Sequence, residues 1–360
     1  MKIGDLCTYA PKSSIKAGEA ISNGEYMFFT SSADENKRYS NYQLDCEAII
    51  MGTGGNATLH YYNGKFSTST DCVVLIPNKH IRCKYLYYFF LCNMVTLENG
   101  FKGAGLKHTN KNYISNIEIY NVPNIETQDK IIKVLDMAFE IKFYYQQQLQ
   151  KLDELVKSRF VEMFGDPNDN PKGYSKKQLK DTCRVITGNT PSRAVSEYYG
   201  EHIEWIKTDN IVSGLLNPTT ATESLSEKGM AVSRTVESGA MLMVCIAGSI
   251  ASIGRVCVTD RKVSFNQQIN AIVPSDYNIL FLYVMLQISK EYLVDEINMA
   301  LKGILSKSKL EEKTFYVPPI ELQEQFAAFV EQTDKSKLAI QQSLEKLETL
   351  KKALMQQYFG

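Results

Sequence analysis

The sequence lacks an excess of either charge, because 40 lysine and arginine residues balance 40 aspartate and glutamate residues over 360 residues. A net charge of zero argues against a protein that coats DNA through a strongly basic surface, so any role on nucleic acid must depend on local placement of charge. Hydrophobic residues make up 44% of the chain and charged residues 22%. This composition predicts a globular protein with substantial cores, not a disordered or fibrous one.

Long hydrophobic runs are also missing. The longest, such as YLYYFFLC at 85–92, are much shorter than the roughly 20 residues that a membrane span requires. The N-terminus has no apolar segment of the signal-peptide kind. The eight cysteines form no CxxC pair and several lie in apolar runs, which is typical of buried thiols in a reducing compartment rather than of disulfides or zinc ligands. We therefore expect a cytoplasmic protein.

Motifs of enzymatic sites are incomplete. Residues 52–57 fit the dinucleotide pattern GxGxxA, but the strand-like TLHYYNGKF follows where a helix is required. Residues 101–105 match the FxGxG of adenosylmethionine-dependent methyltransferases without the flanking strand and helix. Neither an NPPY-type loop nor GxxxxGK[ST] is present, and the four histidines have no metal-ligand spacing. We expect no catalytic chemistry, no metal and no cofactor.

An internal repeat determines the predicted organisation. A shift of 195 residues places residues 122–165 over 317–360 without a gap, with 15 of 44 positions identical. Each copy begins with a proline motif, VPxIExQ, and then has no glycine or proline until a closing Phe-Gly. This pattern predicts two long helices, the first from about Gln128 to Phe164.

Apolar residues in both copies recur at spacings of three and four, as in the seam of a coiled coil. An antiparallel pair within the chain is the economical arrangement, and packing of each helix on its own domain is the alternative. Lys142 and Lys337 interrupt the stripe at equivalent positions. The predicted seam residues are Ile131, Leu135, Leu149, Leu152 and Val156 in the first helix and Phe326, Val330, Leu344, Leu347 and Leu354 in the second.

A globular segment precedes each helix, and GDPNDNPKG at 165–173 is the predicted linker. Both segments show a strand, a Gly-rich turn, further strands ending at Pro77 or Pro274, and an apolar helix; Asn63-Gly64 predicts a turn. The fold class is therefore α+β, with two α/β domains in tandem, each followed by a long helix. We predict a first domain at 1–121, a central helix at 122–165, a second domain at 166–316 and a C-terminal helix at 317–360. Two similar domains at opposite ends of an antiparallel rod would suit a bipartite DNA site.

Several segments resemble a known family. KKQLKDTCRVITGNTPSRAVSEYYGEHIEWIKTDNI at 176–211, the later CIAGSIASIGRV and VSFNQQINAIVP, and the helix start VPPIELQEQ resemble a target recognition domain of the specificity subunits of type I restriction-modification systems. The first segment resembles another subclass of that domain through GEYMFFTSS, MGTGGNATLHYYNGKFSTSTDC and VPNIETQDKI, although no TGxTP-like element occurs near Pro11.

The resemblance implies a non-catalytic subunit with two target recognition domains separated by helical spacers. Such a subunit recognises a bipartite, asymmetric site on double-stranded DNA. It binds two methyltransferase subunits and, through them, the restriction and translocase subunits.

Candidate DNA contacts are polar side chains that can reach base edges or phosphates. Asn266, Gln267 and Gln268 should face DNA, because three amides beside a strand are costly to bury. At each position, a structural role in holding a loop is the alternative. The first-domain candidates are Thr30, Ser31, Lys37, Arg38, Asn56, His60, Lys65, Ser67, Thr68, Lys102, Lys107 and His108; those of the second domain are Thr190, Ser192, Arg193, Lys207, Thr208, Asp209, Asn210, Ser249, Arg255, Asn266, Gln267 and Gln268.

Two other functions stay open at this point. The chain could be a coiled-coil adaptor whose α/β domains bind proteins, or the specificity half of a restriction enzyme with its own methyltransferase. The missing catalytic loop argues against the second of these. A steep salt dependence of DNA affinity would separate a DNA reader from an adaptor.

Overall fold

The computed structural model describes residues 1–295, 297 and 303–360. They form two compact units, one of Met1–Tyr144 with Ser343–Gly360 and one of Tyr145–Gln342. Each unit combines a globular α/β part with portions of two 40-residue helices, which confirms the predicted fold class. The division between the units falls inside both long helices, at 144/145 and 342/343. It therefore does not test the predicted domain boundaries at 121, 165 and 316, which stay predictions.

The first unit is built on one mixed sheet and four short helices. Its strands are β1 (Cys7–Tyr9), β2 (Tyr26–Phe29), β3 (Arg38–Tyr39), β4 (Leu44–Gly52), β5 (Leu59–Thr68) and β6 (Cys72–Pro77). Its helices are α1 (Ile3–Leu6), α2 (Cys83–Cys92), α3 (Met94–Glu98), α4 (Lys111–Asn116) and the beginning of α5 (Ile125–Phe164).

The six strands lie in the order β1-β6-β4-β5-β2-β3, and all pairs are antiparallel except β2 with β5. Side chains alternate between two apolar faces: Ile49 and Met51 share a core with α2, whereas Ile50 packs with Phe29 and Phe66. The predicted turn at Asn63-Gly64 is wrong, because both residues lie inside β5 opposite Glu47 and Cys46. Gly64 has a φ of +136°, which an L side chain rarely adopts, so the glycine accommodates this conformation within the strand.

The described residues of the second unit form two four-stranded sheets and two strand pairs. Its strands are β7 (Lys176–Gln178), β8 (Cys183–Thr187), β9 (Tyr199–Ile206), β10 (Ser224–Leu225), β11 (Thr235–Val236), β12 (Met241–Val244), β13 (Ile246–Ala247), β14 (Val256–Val258), β15 (Val263–Phe265), β16 (Ile269–Pro274), β17 (Gly303–Ile304) and β18 (Thr314–Tyr316). Its helices are α6 (Leu179–Thr182), α7 (Glu227–Ala231), α8 (Ile279–Ile288), α9 (Lys290–Val294), α10 (Lys307–Glu312) and the beginning of α11 (Ile320–Phe359).

The two larger sheets of the second unit pack against each other. The sheet β14-β12-β16-β8 places Met241 and Met243 in one core with α8, and places the alternate residue Leu242 in another core with Val263 and Phe265 of the sheet β10-β9-β15-β11. This alternation follows from the two-residue period of a strand. The strand ends at Pro77 and Pro274 and the apolar helices after them, α2 and α8, are as the sequence predicts.

The glutamine of the repeated VPxIExQ motif has one structural role in both units. Gln128 and Gln323 are both fully buried. Gln128 accepts a hydrogen bond from the backbone N–H of Arg82 and donates to the carbonyl of Pro123, whereas Gln323 accepts from Asn278 N–H and donates to the carbonyl of Pro318. Each amide thereby joins the start of a long helix to the start of α2 or α8, and pairs one backbone N–H and one backbone carbonyl that would otherwise be buried without a partner.

The long helices pair in antiparallel fashion within each unit. In the first unit, Leu135 of α5 shares a core with Met355 of α11, and Lys142 Nζ lies 2.7 Å from Glu348 Oε1. In the second, Phe160 packs on Phe326 with ring centroids 5.4 Å apart, and Lys337 bonds to Asp153. Higher numbers in α5 therefore meet lower numbers in α11, as predicted.

The two interrupting lysines are matched by carboxylates at equivalent repeat positions, since Asp153 and Glu348 are also 195 residues apart. A charged pair inside an apolar seam favours one register over its alternatives. All ten predicted seam residues are buried or half-buried. The alternative interpretation is also correct in part, because the ends of both helices pack on the globular parts: Phe164 contacts Phe281 of α8 with ring centroids 4.8 Å apart.

Candidate nucleic-acid interface

In the second unit, two parallel strands end at the same edge of a sheet. β9 pairs with β15 in parallel register, Trp205 beside Ser264 and Ile206 beside Phe265. The segments that follow, Lys207–Asn210 and Asn266–Gln268, therefore emerge next to each other. Their proximity is reinforced by a hydrogen bond from Asn266 N–H to the carbonyl of Ile206 at 3.0 Å.

The ITGNTPS loop packs directly against this edge. A Cβ on Gly188 would lie 2.2 Å from the carbonyl oxygen of Asn266, so only glycine permits this approach. Gly188 N–H and Asn189 N–H donate to the carbonyls of Ile269 and Phe265, and the hydroxyl of Thr190 donates to Gln267 Oε1. Residues that are far apart in sequence, Thr190 and Gln267, thus form one exposed polar surface.

A cationic cluster lies beside this loop. Arg193 and Lys207 both bind the carboxylate of Glu223, and both stand over the ring of Trp205, at 5.2 and 5.0 Å from its centroid. The hydrogen bonds from Lys207 and then Arg193 lower the pKa of Glu223. Two cations against one carboxylate leave a net positive surface that suits a phosphate.

Arg255 and Lys290 form a second pair of cations. Arg255 Nη2 donates to the carbonyl of Thr208 at 3.2 Å, and Lys290 Nζ donates to the carbonyl of Ala251 at 2.5 Å. Burial, and then the charge of Arg255, lower the pKa of Lys290. Ser249 is exposed on the same loop and bonds to Ser252.

Two second-unit candidates are buried and act within the fold. Asn210 donates to Thr219 Oγ1 and to the carbonyl of Thr220 and accepts from Lys207 N–H. The expectation that all three amides at 266–268 are exposed is wrong for Asn266, which is 5% exposed. Its side chain donates to Gln268 Oε1 and accepts from Gln268 N–H. Closing the loop in this way removes the cost of burying the amide. The remaining candidates are Gln267, Ser192 and Asp209, which are exposed, and Gln268, which is half-buried.

In the first unit, the Gly-rich turn and a later loop come together. Gly55 N–H donates to the carbonyl of Lys107, and Thr109 N–H donates to the carbonyl of Thr53. Lys102 and His108 exchange backbone hydrogen bonds across the loop. The side chains of Asn56, Lys102, Lys107 and His108 are all exposed, so a small basic surface forms at residues 52–56 and 101–109.

The other first-unit candidates are mostly held inside the fold. Thr30, His60, Ser67 and Thr68 are between 0 and 4% exposed, so they do not reach the surface in this conformation. Lys37 Nζ donates to Thr30 Oγ1, Ser31 Oγ to the carbonyl of Asp71, and Arg38 to the carbonyl of Glu35. The His60 ring lies between Glu35 Oε1 at 3.3 Å and the carbonyl of Ser32 at 3.2 Å. Lys65 is exposed over the ring of Tyr42.

Sequence reasoning missed three residues of these clusters. Trp205 and Glu223 organise Arg193 and Lys207, and Lys290 accompanies Arg255. Trp205 is the sole tryptophan of the chain and lies in the EWIKTDN segment, which was a usable signal. Glu223 and Lys290 had none, because only the fold brings them near their partners.

Three further features concern the cysteines, the metal-ligand side chains and the helices of the described residues. All eight cysteines lie in the described part and are free thiols, six of them buried. Among residues 1–295, 297 and 303–360 there is no group of three or more His, Cys, Asp or Glu side chains that could hold a metal ion. Of the helices that the structure describes, none is long and apolar enough to cross a membrane.

Comparisons with known proteins agree with the architecture. A putative type I specificity subunit of Mycoplasma pneumoniae is 24% identical over 342 residues, which cover 91% of this chain and 86% of that protein. The specificity subunit of the type I restriction enzyme HindI from Haemophilus influenzae is 33% identical over 118 residues, 32% of this chain and 25% of that subunit. The crystal structure of a type I restriction-modification S subunit from M. genitalium has the same fold, with a TM-score of 0.70 and 14% identity, covering 100% of this chain and 95% of that one.

The family model of the type I restriction modification DNA specificity domain matches residues 1–153 and 171–351. These two matches span most of the chain and each contains one globular part. The chain therefore belongs to the type I restriction-modification DNA specificity family.

Proposed function

We propose that this chain is the subunit that selects the DNA sequence for a type I restriction-modification complex. It would bind a bipartite, asymmetric site, with one half read by a recognition domain at 1–121 and the other by a recognition domain at 166–316. The observation that carries the proposal is that each unit gathers polar side chains from distant segments at one exposed surface. Family membership supports it further.

In the second domain, the exposed amide of Gln267 is suited to a bidentate contact with adenine. Arg193 and Lys207, held over Trp205, and Arg255 beside Lys290 are suited to phosphates. Phosphate contacts orient the domain, and base contacts select the sequence. Ser192, Thr208, Asp209, Ser249 and Gln268 lie close enough in the chain to these residues to share that surface.

In the first domain, the surface formed by Asn56, Lys102, Lys107 and His108 takes the corresponding role. Lysine and histidine supply phosphate contacts, and the amide of Asn56 can bond to a base edge. The buried Thr30, His60, Ser67 and Thr68 contribute by shaping the loops. Lys37, Arg38 and Lys65 lie on neighbouring strands and loops.

The absence of net charge fits a chain that shares its DNA affinity with other subunits, because non-specific affinity depends on the number of phosphates neutralised. We propose two methyltransferase subunits as partners, with restriction and translocase subunits bound through them. Exposed apolar residues occur at equivalent positions of both long helices, Phe143 with Leu338 and Leu155 with Leu350. A surface that occurs twice in one chain suits a partner that binds twice.

In this proposal the chain performs no catalytic step, holds no cofactor or metal and works in the cytoplasm. The methyl transfer and the cleavage belong to the partner subunits. The two helices separate the half-sites, and their length sets the spacer between them.

An exchange of the first domain tests the proposal. Replacing residues 1–121 with the first domain of another specificity subunit should change one half of the methylated motif in the host genome and leave the other half intact. Methylomes of hosts with and without the gene supply the reference motif. A change in both halves, or a motif that is independent of this gene, would refute the proposed function.

A further inference from the structure

A charged cleft lies within the second unit, between its globular part and its portions of the two long helices. Its volume is about 220 Å³, which is smaller than the roughly 300 to 1,000 Å³ of sites that hold drug-sized ligands. The cleft therefore suits a small ligand. Its charged side chains come from α5, the segment before β14, α9 and α11, and they are Asp153, Lys157, Arg255, Lys290, Asp334 and Lys337.

The charges that line the cleft do not cancel. Lys337 bonds to Asp153, and this pair accounts for one cation and one carboxylate. Three cations remain against the single carboxylate of Asp334, namely Lys157, Arg255 and Lys290. Within the part of the chain that the structure describes, none of these four side chains forms an ion pair. The cleft therefore has a net positive charge that no described residue neutralises.

Two of the three cations are half-buried and close to each other. Arg255 Nη2 donates to the carbonyl of Thr208 and Lys290 Nζ to the carbonyl of Ala251, so backbone oxygens take the place of carboxylates. Burial, and then the charge of Arg255, lower the pKa of Lys290, because both oppose its positive charge. Half-buried cations without a counter-ion are unfavourable, and an anion in the cleft would reduce that cost.

Asp334 gives the cleft a hydrogen-bond acceptor as well. Burial raises the pKa of its carboxyl, although Lys337 lowers it. The counterpart of Asp334 in the repeat, 195 residues earlier, is Phe139, whose ring stacks on Tyr88 with centroids 5.5 Å apart. Pairing of the long helices therefore does not require a carboxylate at this position. A carboxylate without a partner in the described chain is suited to accept hydrogen bonds from a ligand.

We propose that this cleft binds a small molecule that carries two or more phosphate charges together with hydroxyl or amino groups, as a nucleoside diphosphate does. The phosphates would bind Lys157, Arg255 and Lys290 through charge-assisted hydrogen bonds. The hydroxyl or amino groups would donate to Asp334. Arg255 also belongs to the candidate DNA surface, but the proposal does not rest on DNA recognition, because the ligand would bind the chain without DNA.

Isothermal titration calorimetry on the full chain tests the site, in a low-salt buffer without divalent cations. The probes are inorganic pyrophosphate, which supplies only phosphate charge, and ADP, which adds hydroxyl and amino donors. We expect saturable binding of both, with ADP bound more tightly. Lys157→Ala and Lys290→Met should each weaken binding of both probes about 10-fold, as for the loss of one hydrogen bond between charged groups.

Lys335→Ala is the matched control, since Lys335 is an exposed lysine of α11 outside the lining of the cleft. It removes the same charge as Lys157→Ala and should leave binding of both probes unchanged. Lys157 is also exposed, so both variants should keep the melting temperature of the wild type. Equal losses in Lys335→Ala and Lys157→Ala would show an effect of general charge and overturn the site.

Asp334→Asn tests the two parts of the ligand separately. Loss of the carboxylate charge should strengthen binding of pyrophosphate, because that charge repels phosphate. ADP should lose its advantage over pyrophosphate, since its donors then meet a neutral amide. An advantage of ADP that Asp334→Asn leaves intact would contradict the contact with Asp334.

Duplex DNA is the third arm and identifies the source of the phosphate. If the chain binds neither small probe at millimolar concentration, the proposal is wrong. If Lys157→Ala then weakens binding of duplex DNA, the cleft belongs to the DNA surface and holds a backbone phosphate. Saturable binding of ADP that depends on Lys157 and Lys290 supports the proposal even if the chain binds no DNA.

Discussion

Replacing Gln267 with alanine removes an exposed amide from the candidate DNA surface of the second unit while leaving the buried loop beneath it in place. Gln267 is exposed, and its Oε1 accepts from Thr190, so the amide is oriented before DNA arrives. A bidentate amide contact with adenine contributes about 1 to 3 kcal/mol of discrimination. We therefore expect affinity for the cognate duplex to fall about 5-fold to 150-fold, with affinity for random duplex nearly unchanged.

The assay is competition binding with the chain assembled with its partner subunits, at one fixed salt concentration, because both affinities depend on salt. Gln332→Ala is the matched control, since Gln332 is an exposed glutamine on α11. Thr190→Val keeps the amide but removes the hydrogen bond that orients it. This variant should lose about 0.5 to 1.5 kcal/mol of cognate binding, the net value of one hydrogen bond.

Asn266→Ala shows how the loss of a structural amide differs from the loss of an amide that contacts a base. Its side chain bonds to the backbone and side chain of Gln268, so its loss should lower the free energy of unfolding by about 1 to 3 kcal/mol. If Gln267→Ala weakens cognate and random duplexes equally, or leaves both unchanged in a folded protein, Gln267 does not read a base. If Gln267→Ala lowers the melting temperature as Asn266→Ala does, the amide has a structural role.

Four further variants test the cationic surface, the helix length, the aromatic core of the second unit and the ion pairs of Glu348. Lys207→Ala and Arg255→Ala should weaken all duplexes alike, and each should reduce the slope of log affinity against log salt by about one; a loss confined to the cognate site would contradict phosphate contact. Deleting seven residues from α5 and the seven that pair with them in α11 removes about 10 Å of helix. The spacer of the methylated motif should then shorten by about three base pairs. An unchanged spacer would show that the helices do not determine its length. Phe326→Ala should cost about 3 to 5 kcal/mol in denaturant unfolding, because its ring packs on Phe160 and Phe164, while the exposed Leu338→Ala should change stability by less than about 0.5 kcal/mol. Hydrogen bonds from Lys142 and then Lys351 lower the pKa of Glu348 from its usual 4.5 to about 2. The contribution of the Glu348 carboxylate to folding stability is therefore present above pH 4.5 and lost as the pH falls toward 2. The stability difference between the wild type and Glu348→Gln should shrink over that range, and a constant difference would contradict the ion pairs.

Sequence alone determined the features that depend on residues close together in the chain. The repeat of 195 residues, the proline and glycine positions and the three-four apolar spacing were sufficient to predict both long helices and their seam. The first helix begins at Ile125, three residues before the predicted Gln128. The strands ending at Pro77 and Pro274 and the apolar helices after them are equally local features. The one local pattern that misled was Asn63-Gly64, where pairing with β4 continues the strand through a sequence that favours a turn.

Tertiary structure alone decided which polar side chains reach the surface. The sequence marks Asn266 and Gln267 as equivalent amides, yet one closes a buried loop and the other is exposed. His60 is buried by contacts with Glu35, Ser32 and Phe29, and Glu223 joins Arg193 to Lys207 across 30 and 16 residues of chain. Tyr120 and Tyr316 each lie just before a VPxIExQ motif, yet Tyr120 is exposed whereas Tyr316 is buried against Tyr174. Burial and ion pairing depend on which segments the fold brings together, and hydrophobic periodicity contains no information about those long-range partners.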